Sequence, residues 1–138
     1  MSVYINGQWD DSYVSIDFDS LKGKVFTDVI VYKDQESTSD IADKIEFITD
    51  DEVFLMFHDQ DCCENVYIES VVGDLKDLIG TEILVAEEVT ESGYDDDFES
   101  WTWTFYKLDT NKGGVTIRWN GYSNGYYSES VSVYSKIK

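Results

Sequence analysis

Strict alternation of apolar and polar residues in the last third of the chain constrains the fold most strongly. Trp101-Thr102-Trp103-Thr104-Phe105 alternates without a break, and Val115-Thr116-Ile117-Arg118-Trp119 repeats the pattern after a turn at Lys112-Gly113-Gly114. Side chains of a β-strand point to opposite faces in turn, so a period of two predicts half-buried strands. A second turn at Ser123-Asn124-Gly125 leads into residues 126–134, and we predict that the three strands form an antiparallel meander.

The alternation also leads to a prediction about the core. One face of the meander collects six large apolar side chains: Trp101, Trp103, Phe105, Val115, Ile117 and Trp119. Large apolar side chains are most often buried, so we predict that this face packs inward. The opposite face, with threonine, arginine and asparagine, is then expected to meet solvent.

Weaker signals of the same kind run through the rest of the chain. Asn6-Gly7 predicts a hairpin turn, since both residues tolerate a positive φ, and the uninterrupted apolar run 53–57 predicts a central strand. Further strands are predicted at residues 14–18, 25–33, 44–49, 52–58 and 82–89. Asp74 can cap a short helix that Gly80 ends. The sequence therefore predicts a single, mainly β domain over residues 1–138. Its antiparallel strands form a meander, sandwich or partly open barrel, with one short helix near residues 74–80.

The charge of the chain is distributed unevenly. With 29 Asp and Glu against 10 Lys and Arg the net charge is −19: residues 1–99 carry −22 and residues 100–138 carry +3. The excess is concentrated in residues 40–64 and 82–99. Such a charge argues against direct nucleic-acid binding, because phosphates are contacted mainly by Lys and Arg. It also opposes anionic membranes and favours basic protein partners.

The start of the chain predicts neither a signal peptide nor a membrane segment. It has no basic-plus-apolar leader, and no apolar run approaches the roughly 18 residues of a spanning helix. The adjacent Cys62 and Cys63 cannot form a disulfide with each other without strain, which fits a reducing compartment. We therefore expect a cytoplasmic protein.

A dense group of potential metal ligands follows the apolar run. Its members are His58, Asp59, Asp61, Cys62, Cys63 and Glu64. These are residue types that bind zinc, but their spacing matches no standard signature. A strand end that turns into a loop explains the group more simply, and a metal site there is the alternative. We expect no cofactor and no enzymatic activity, since the surrounding carboxylates disfavour a reactive thiolate.

Two other groups are candidate binding residues. The acidic group, which we predict to bind a partner, contains Glu87, Glu88, Glu91, Asp95, Asp96, Asp97 and Glu99, together with Asp50, Asp51 and Glu52. It lacks the alternating acidic pattern of a calcium loop. The second group could stack on and clamp a nucleotide, and consists of Arg118, Trp119, Tyr126 and Tyr127.

Three parts of the chain form recognisable motifs: residues 58–69 (HDQDCCENVYIE), residues 73–80 (GDLKDLIG), and the C-terminal stretches WTWTFYKL, GVTIRW and SNGYYSE. Together they resemble a family of small acidic phage proteins of unknown function. The likeness covers roughly residues 21–134. It implies a phage accessory protein in the cytoplasm of a bacterial host, and it brings no catalytic residue with it.

These observations lead to one main functional hypothesis. We expect a non-enzymatic, phage-encoded inhibitor of a bacterial defence system. Its acidic surface would bind a basic host protein, in the manner of a DNA mimic if the carboxylates reproduce the charge density of a duplex. The alternatives are a protein that sequesters a nucleotide through the aromatic meander and a metal-binding protein at residues 58–64. The lack of proline leaves homodimerisation through a free β-edge open.

Overall fold

The protein is built from antiparallel strands that form two large sheets and one small hairpin. The computed structural model describes residues 3–5, 8–33, 43–59, 64–94, 99–125 and 128–138. The strands of this part of the chain are β1 (Val3–Ile5), β2 (Gln8–Asp10), β3 (Val14–Ile16), β4 (Asp28–Tyr32), β5 (Lys44–Ile48), β6 (Glu52–Phe57), β7 (Asn65–Val72), β8 (Val85–Tyr94), β9 (Ser100–Asp109), β10 (Gly114–Ser123) and β11 (Ser132–Ile137). Two short 3₁₀ helices cover Phe18–Leu21 and Leu75–Leu78.

The strand order defines the two sheets. The four-stranded sheet has the order β7-β10-β9-β8, and the five-stranded sheet has the order β3-β11-β6-β5-β4. β1 and β2 pair with each other on either side of the predicted Asn6-Gly7 turn, which itself lies outside the described residues. The predicted mainly β, antiparallel fold is confirmed, as an open arrangement of sheets rather than a closed barrel.

The inward faces of both sheets contribute to the same hydrophobic core. Trp119 and Tyr106 of the four-stranded sheet belong to one buried cluster with Phe47 and Phe54 of the five-stranded sheet. The ring of Phe26, in the segment before β4, also packs in this cluster, with its centroid 5.1 Å from that of Phe47. β6, which contains the apolar run 53–57, lies in the middle of its sheet as predicted.

The predicted C-terminal meander is correct for two strands and wrong for the third. β9 and β10 pair along their whole length, but β11 pairs with β6 and β3 in the other sheet. The neighbour of β10 on its second side is β7. β10 ends at Ser123 and β11 begins only at Ser132, a separation in the sequence that is too long for a tight hairpin.

The predicted strand 14–18 is also shorter than expected. β3 ends at Ile16, and Phe18 begins a 3₁₀ helix with its side chain buried. The ring of Phe18 packs 4.6 Å, centroid to centroid, from that of Tyr106. Phe18 is therefore apolar because its side chain packs in the core from a 3₁₀ helix, and not because it belongs to a strand.

The helix predicted near residues 74–80 is present as a single 3₁₀ turn. Asp74 caps it, because the carboxylate accepts a hydrogen bond of 3.0 Å from the backbone N–H of Lys76. Gly80 follows with a φ of +84°, a conformation that glycine adopts without the steric cost of a Cβ atom. Both signals at the ends of the predicted helix are thus confirmed.

One buried carboxylate connects the two sheets. Asp43, directly before β5, accepts a hydrogen bond of 2.6 Å from the backbone N–H of Ile68 in β7. β7 lies at the edge of its sheet, where, in the described part of the chain, no strand pairs with the N–H groups that point away from β10. Asp43 supplies the acceptor for one of these buried donors, which would otherwise cost about 1–3 kcal/mol.

Candidate functional site

β8 forms an exposed edge of the four-stranded sheet. It pairs with β9 on one side, and in the described part of the chain no strand pairs with its other side. Every residue from 87 to 92 is exposed, including those that point toward the inner side of the sheet. We call Glu87, Glu88 and Glu91 on this strand the acidic edge. These three candidates lie together on one element, whereas Asp95, Asp96 and Asp97 lie outside the described residues.

Glu88 connects the acidic edge to the core. The hydroxyl of buried Tyr106 donates a hydrogen bond of 3.0 Å to Glu88 Oε1. Burial raises the pKa of Tyr106, and the negative charge of Glu88 raises it further. Tyr106 therefore stays protonated as the donor, and it holds one carboxylate of the acidic edge in place.

A shallow acidic groove lies beside the first half of β8. It has a volume of about 430 Å³ and is lined by Asp17, Phe18, Asp19 and residues 86–89. Among the described residues, the lining includes the carboxylates of Asp17, Asp19, Glu87 and Glu88 and no basic side chain. The 3₁₀ helix Phe18–Leu21 packs against β8, and its Phe18 ring contacts Tyr106 of the neighbouring β9. The groove is therefore suited to a cationic side chain next to the strand edge.

The two tryptophans and the phenylalanine of β9 do not face the core, contrary to the sequence prediction. Residues that lie opposite each other in an antiparallel pair share a face of the sheet. Phe105 lies opposite Arg118, whereas buried Trp119 lies opposite Thr104. Trp101, Trp103 and Phe105, which we call the aromatic face, are consequently on the outer side and only half-buried. Of the six predicted core residues, only Val115, Ile117 and Trp119 are buried.

The residues after Phe105 decide which face of β9 points toward the core. Thr104, Tyr106 and Leu108 form the inward set of β9, and all three are buried. The prediction considered only residues 101–105, where the threonines are the less apolar set. Over the full length of the strand both sets contain large apolar residues, so alternation alone does not determine which set faces inward.

Trp101 lies flat against the neighbouring strand. It is opposite Gly93 of β8, and a Cβ atom at Gly93 would lie only 2.7 Å from Cζ2 of the indole. The close approach requires glycine at this position. The Trp101 ring therefore covers the Gly93 backbone and remains partly exposed.

Arg118 lies over the other two rings. Its guanidinium is 5.5 Å from the centroid of Trp103 and 5.8 Å from that of Phe105. These distances are within the range of cation–π attraction. Arg118 Nε also lies 3.5 Å from Glu69 Oε2. Both the charge and the flat surface of this arginine are thus engaged within the protein.

The predicted nucleotide-binding group is not brought together in the described part of the chain. Arg118 faces outward and is held by Glu69, while Trp119 points into the core and is 1% exposed. Tyr126 and Tyr127 lie outside the described residues. Neighbouring residues on a strand point to opposite faces, which is why Arg118 and Trp119 cannot line one pocket.

The predicted metal ligands divide among different contacts. His58 Nδ1 lies 2.6 Å from the carbonyl oxygen of Ser130, and Nε2 lies 3.4 Å from Glu64 Oε1, with both side chains buried. Asp59 instead accepts a hydrogen bond from Tyr134. Among the residues with described positions, no group of three or more side chains could hold a metal ion. Asp61, Cys62 and Cys63 are not among them.

The acidic residues near the turn between β5 and β6 have structural contacts. Glu52 forms an ion pair of 2.8 Å with Lys24, and the Asp51 carboxylate accepts a hydrogen bond from Thr49. Asp50 is exposed, as is Glu99 before β9. This turn belongs to the five-stranded sheet and the acidic edge to the four-stranded one, so the two predicted acidic segments lie on different sheets.

Fold and surface together define a small antiparallel β protein with an acidic edge strand beside an outward aromatic face. Residues 14–133 match the family described as a domain of unknown function, DUF7448, and the chain belongs to this family. No curated protein and no solved structure gives a significant match. In the described part of the chain, no helix is long and apolar enough to cross a membrane.

Proposed function

We propose that this protein is a non-enzymatic binding protein that takes up a basic, extended polypeptide segment along the acidic edge. The observation that carries the proposal is β8 itself, a ten-residue strand with an outer side that no described strand occupies. Such an edge offers N–H and C=O groups to a strand from another protein. The glutamates and the groove select for basic side chains on that strand.

The electrostatics support a basic partner. The carboxylates of the groove lie at one end of β8 and Glu91 lies further along, so cationic side chains of an added strand would meet acids at both places. The net charge of −19 also attracts a basic protein over a longer range. Association should therefore be fast and weaken with salt.

The surroundings of the acidic edge favour a polypeptide over an imitation of duplex DNA. On the outer face of the neighbouring strand, Lys107 lies opposite Glu87 and Trp103 lies opposite Glu91. A lattice of phosphate-like charges would need further carboxylates at those positions. An inhibitor of a bacterial defence protein, encoded by a phage, would on this proposal recognise a basic segment of its target rather than copy the target's nucleic acid.

A defined peptide tests the proposal. The probe is a peptide of alternating arginine and threonine residues, as long as β8, and its affinity is measured by calorimetry at low and high salt. The variant E87Q/D19N removes two charges at the groove, and the matched control D50N/E82Q removes two exposed charges elsewhere. Exposed ion pairs contribute about 0.2–1 kcal/mol each, so the groove variant should lose about 2- to 30-fold in affinity.

Hydrogen exchange provides the second measurement. Outward-pointing amides of β8 should become protected when the peptide binds, because they gain hydrogen bonds to the added strand. Equal losses of affinity in E87Q/D19N and D50N/E82Q would show attraction by overall charge alone. That result, or an unchanged exchange rate along β8, would overturn the proposal.

A further inference from the structure

We propose that Trp101 and Glu91 form a binding site for one arginine side chain of the basic partner. This inference rests on the proposed function and adds to it a specific recognition position. The site lies on the outer face of the four-stranded sheet, at the end of β8 away from the acidic groove.

The aromatic face already holds one guanidinium. Arg118 lies over Trp103 and Phe105, with distances of 5.5 and 5.8 Å to the ring centroids. Trp101 is the third ring of this face, and no described cation lies over it. Among aromatic side chains, tryptophan attracts cations most strongly. The next ring in the row therefore offers the same kind of surface to a cation from outside.

Glu91 provides the charge for this position. It lies on the same outer face as Trp101, because Glu91 is opposite Trp103 and Gly93 is opposite Trp101 in the β8–β9 register. Such diagonal neighbours lie about 7–8 Å apart, within reach of a long side chain. Glu87 has Lys107 opposite it on this face, whereas the residue opposite Glu91 is aromatic. Glu91 is thus the carboxylate of the outer face that an incoming cation can pair with.

Tyr122 flanks Trp101 on the side away from β8. It lies opposite Trp101 in β10 and is 43% exposed. Its hydroxyl accepts a hydrogen bond of 2.8 Å from Asn65 Nδ2, which fixes the ring beside Trp101. A planar guanidinium can stack on an indole while its N–H groups bind a carboxylate. An arginine can therefore stack on Trp101 and bind Glu91 at the same time, whereas a lysine ammonium stacks less well.

The charge of the protein selects among possible occupants. An anionic ligand is repelled by the net charge of −19, and a second copy of the chain carries the same charge. A strand that pairs with β8 would place alternate side chains on the outer face, beside Glu91 and Trp101. A cationic side chain of that strand is therefore the occupant that the face and the charge both favour.

The experiment compares arginine with its neutral isostere. The alternating peptide is prepared with arginine throughout, or with citrulline or lysine at the single position whose replacement weakens binding most. Affinities are measured for the wild-type chain and for W101L, E91Q and the control W9L. Trp9 is an exposed tryptophan of β2, which does not belong to the four-stranded sheet. W101F, which retains an aromatic ring, provides a variant with minimal disturbance of the fold.

We expect W101L to weaken binding of the arginine peptide by about 2- to 30-fold and E91Q by about 1.4- to 5-fold, W101F to weaken it less than W101L, and W9L to have no effect. The citrulline peptide should bind more weakly and be insensitive to W101L. Equal effects of W101L on the arginine and citrulline peptides, or no effect on either, would overturn the inference.

The variants also separate this inference from the proposed function. If the arginine site fails this test but E87Q/D19N still loses more affinity than D50N/E82Q, the proposed function stands without the arginine site. If those two variants lose affinity equally while W101L remains selective, the arginine site stands and the edge-strand proposal fails.

Discussion

Tyr134 shows how burial, together with a hydrogen bond, makes the stability of this protein depend on pH. Its hydroxyl donates a hydrogen bond of 2.6 Å to Asp59 Oδ2. Burial, followed by the hydrogen bond to Asp59, raises the pKa of Tyr134 from 10.0 to about 12. Because the pKa in the folded state is higher than in the unfolded state, this contribution is complete below pH 10.0. It is lost as the pH rises toward about 12.

We therefore expect the free energy of unfolding to fall between about pH 10 and pH 12, by about 1 kcal/mol from Tyr134 after solvent screening. Urea titrations at several alkaline pH values measure this fall. Tyr134→Phe should be less stable than wild type at neutral pH and show a smaller alkaline loss. The remaining loss is expected from Tyr106, with a pKa raised in the same direction. An identical pH profile for Tyr134→Phe and wild type would contradict the assignment.

At the scale of elements, the two sheets are joined by polar as well as apolar contacts. Asp43 accepts the hydrogen bond from Ile68 N–H at 2.6 Å and is itself buried. Asp43→Ala leaves a buried donor without this acceptor, so we expect it to reduce the free energy of unfolding by about 1–3 kcal/mol. Asp43→Asn keeps an oxygen acceptor and should cost less. Urea unfolding of both variants tests this, and equal losses would show that the negative charge, rather than the hydrogen bond, is what matters.

The elements also show how much of the fold the sequence could predict. Period-two alternation and turn residues indicated the β9–β10 hairpin, and cap residues indicated the 3₁₀ turn after Asp74. These are local signals. The partner of β11 could not be read in this way, because its pairing with β6 and β3 depends on the whole arrangement of the core.

The candidate site, too, could be predicted from the sequence only where the signal is local. The acidic segment of β8 was visible in the sequence because charge needs no three-dimensional information. The outward aromatic face was missed, since the orientation of β9 is decided by Tyr106 and Leu108 packing inward with Trp119. The contact between His58 and Glu64 joins two members of one predicted group. The separation of Arg118 from Trp119 follows from strand geometry alone.

At the scale of the molecule, the charge distribution affects association between copies. Two chains that paired β8 with β8 would place the acidic edges against each other, and like charges directly opposite in a sheet are destabilising. Charged residues on an edge strand are a common protection against such pairing. The acidic edge thus disfavours a homodimer through β8 while it leaves the same edge open to a basic strand.

The same charge should weaken the folded state itself. Carboxylates outnumber basic residues 29 to 10, and folding brings them closer together, so mutual repulsion opposes the compact state. Added salt screens this repulsion over distances beyond the Debye length of about 10 Å at 0.1 M ionic strength. Salt also weakens the pairs Lys24–Glu52 and Lys136–Asp10, but exposed pairs contribute little.

We therefore expect the midpoint of urea unfolding to rise as sodium chloride is added to a low-salt buffer. Urea is suitable as the denaturant because it is uncharged. The variant D50N/E82Q, with a net charge two units less negative, should be more stable than wild type at low salt and gain less from added salt. A midpoint that falls with salt in the wild-type chain would mean that specific ion pairs outweigh the general repulsion of its carboxylates.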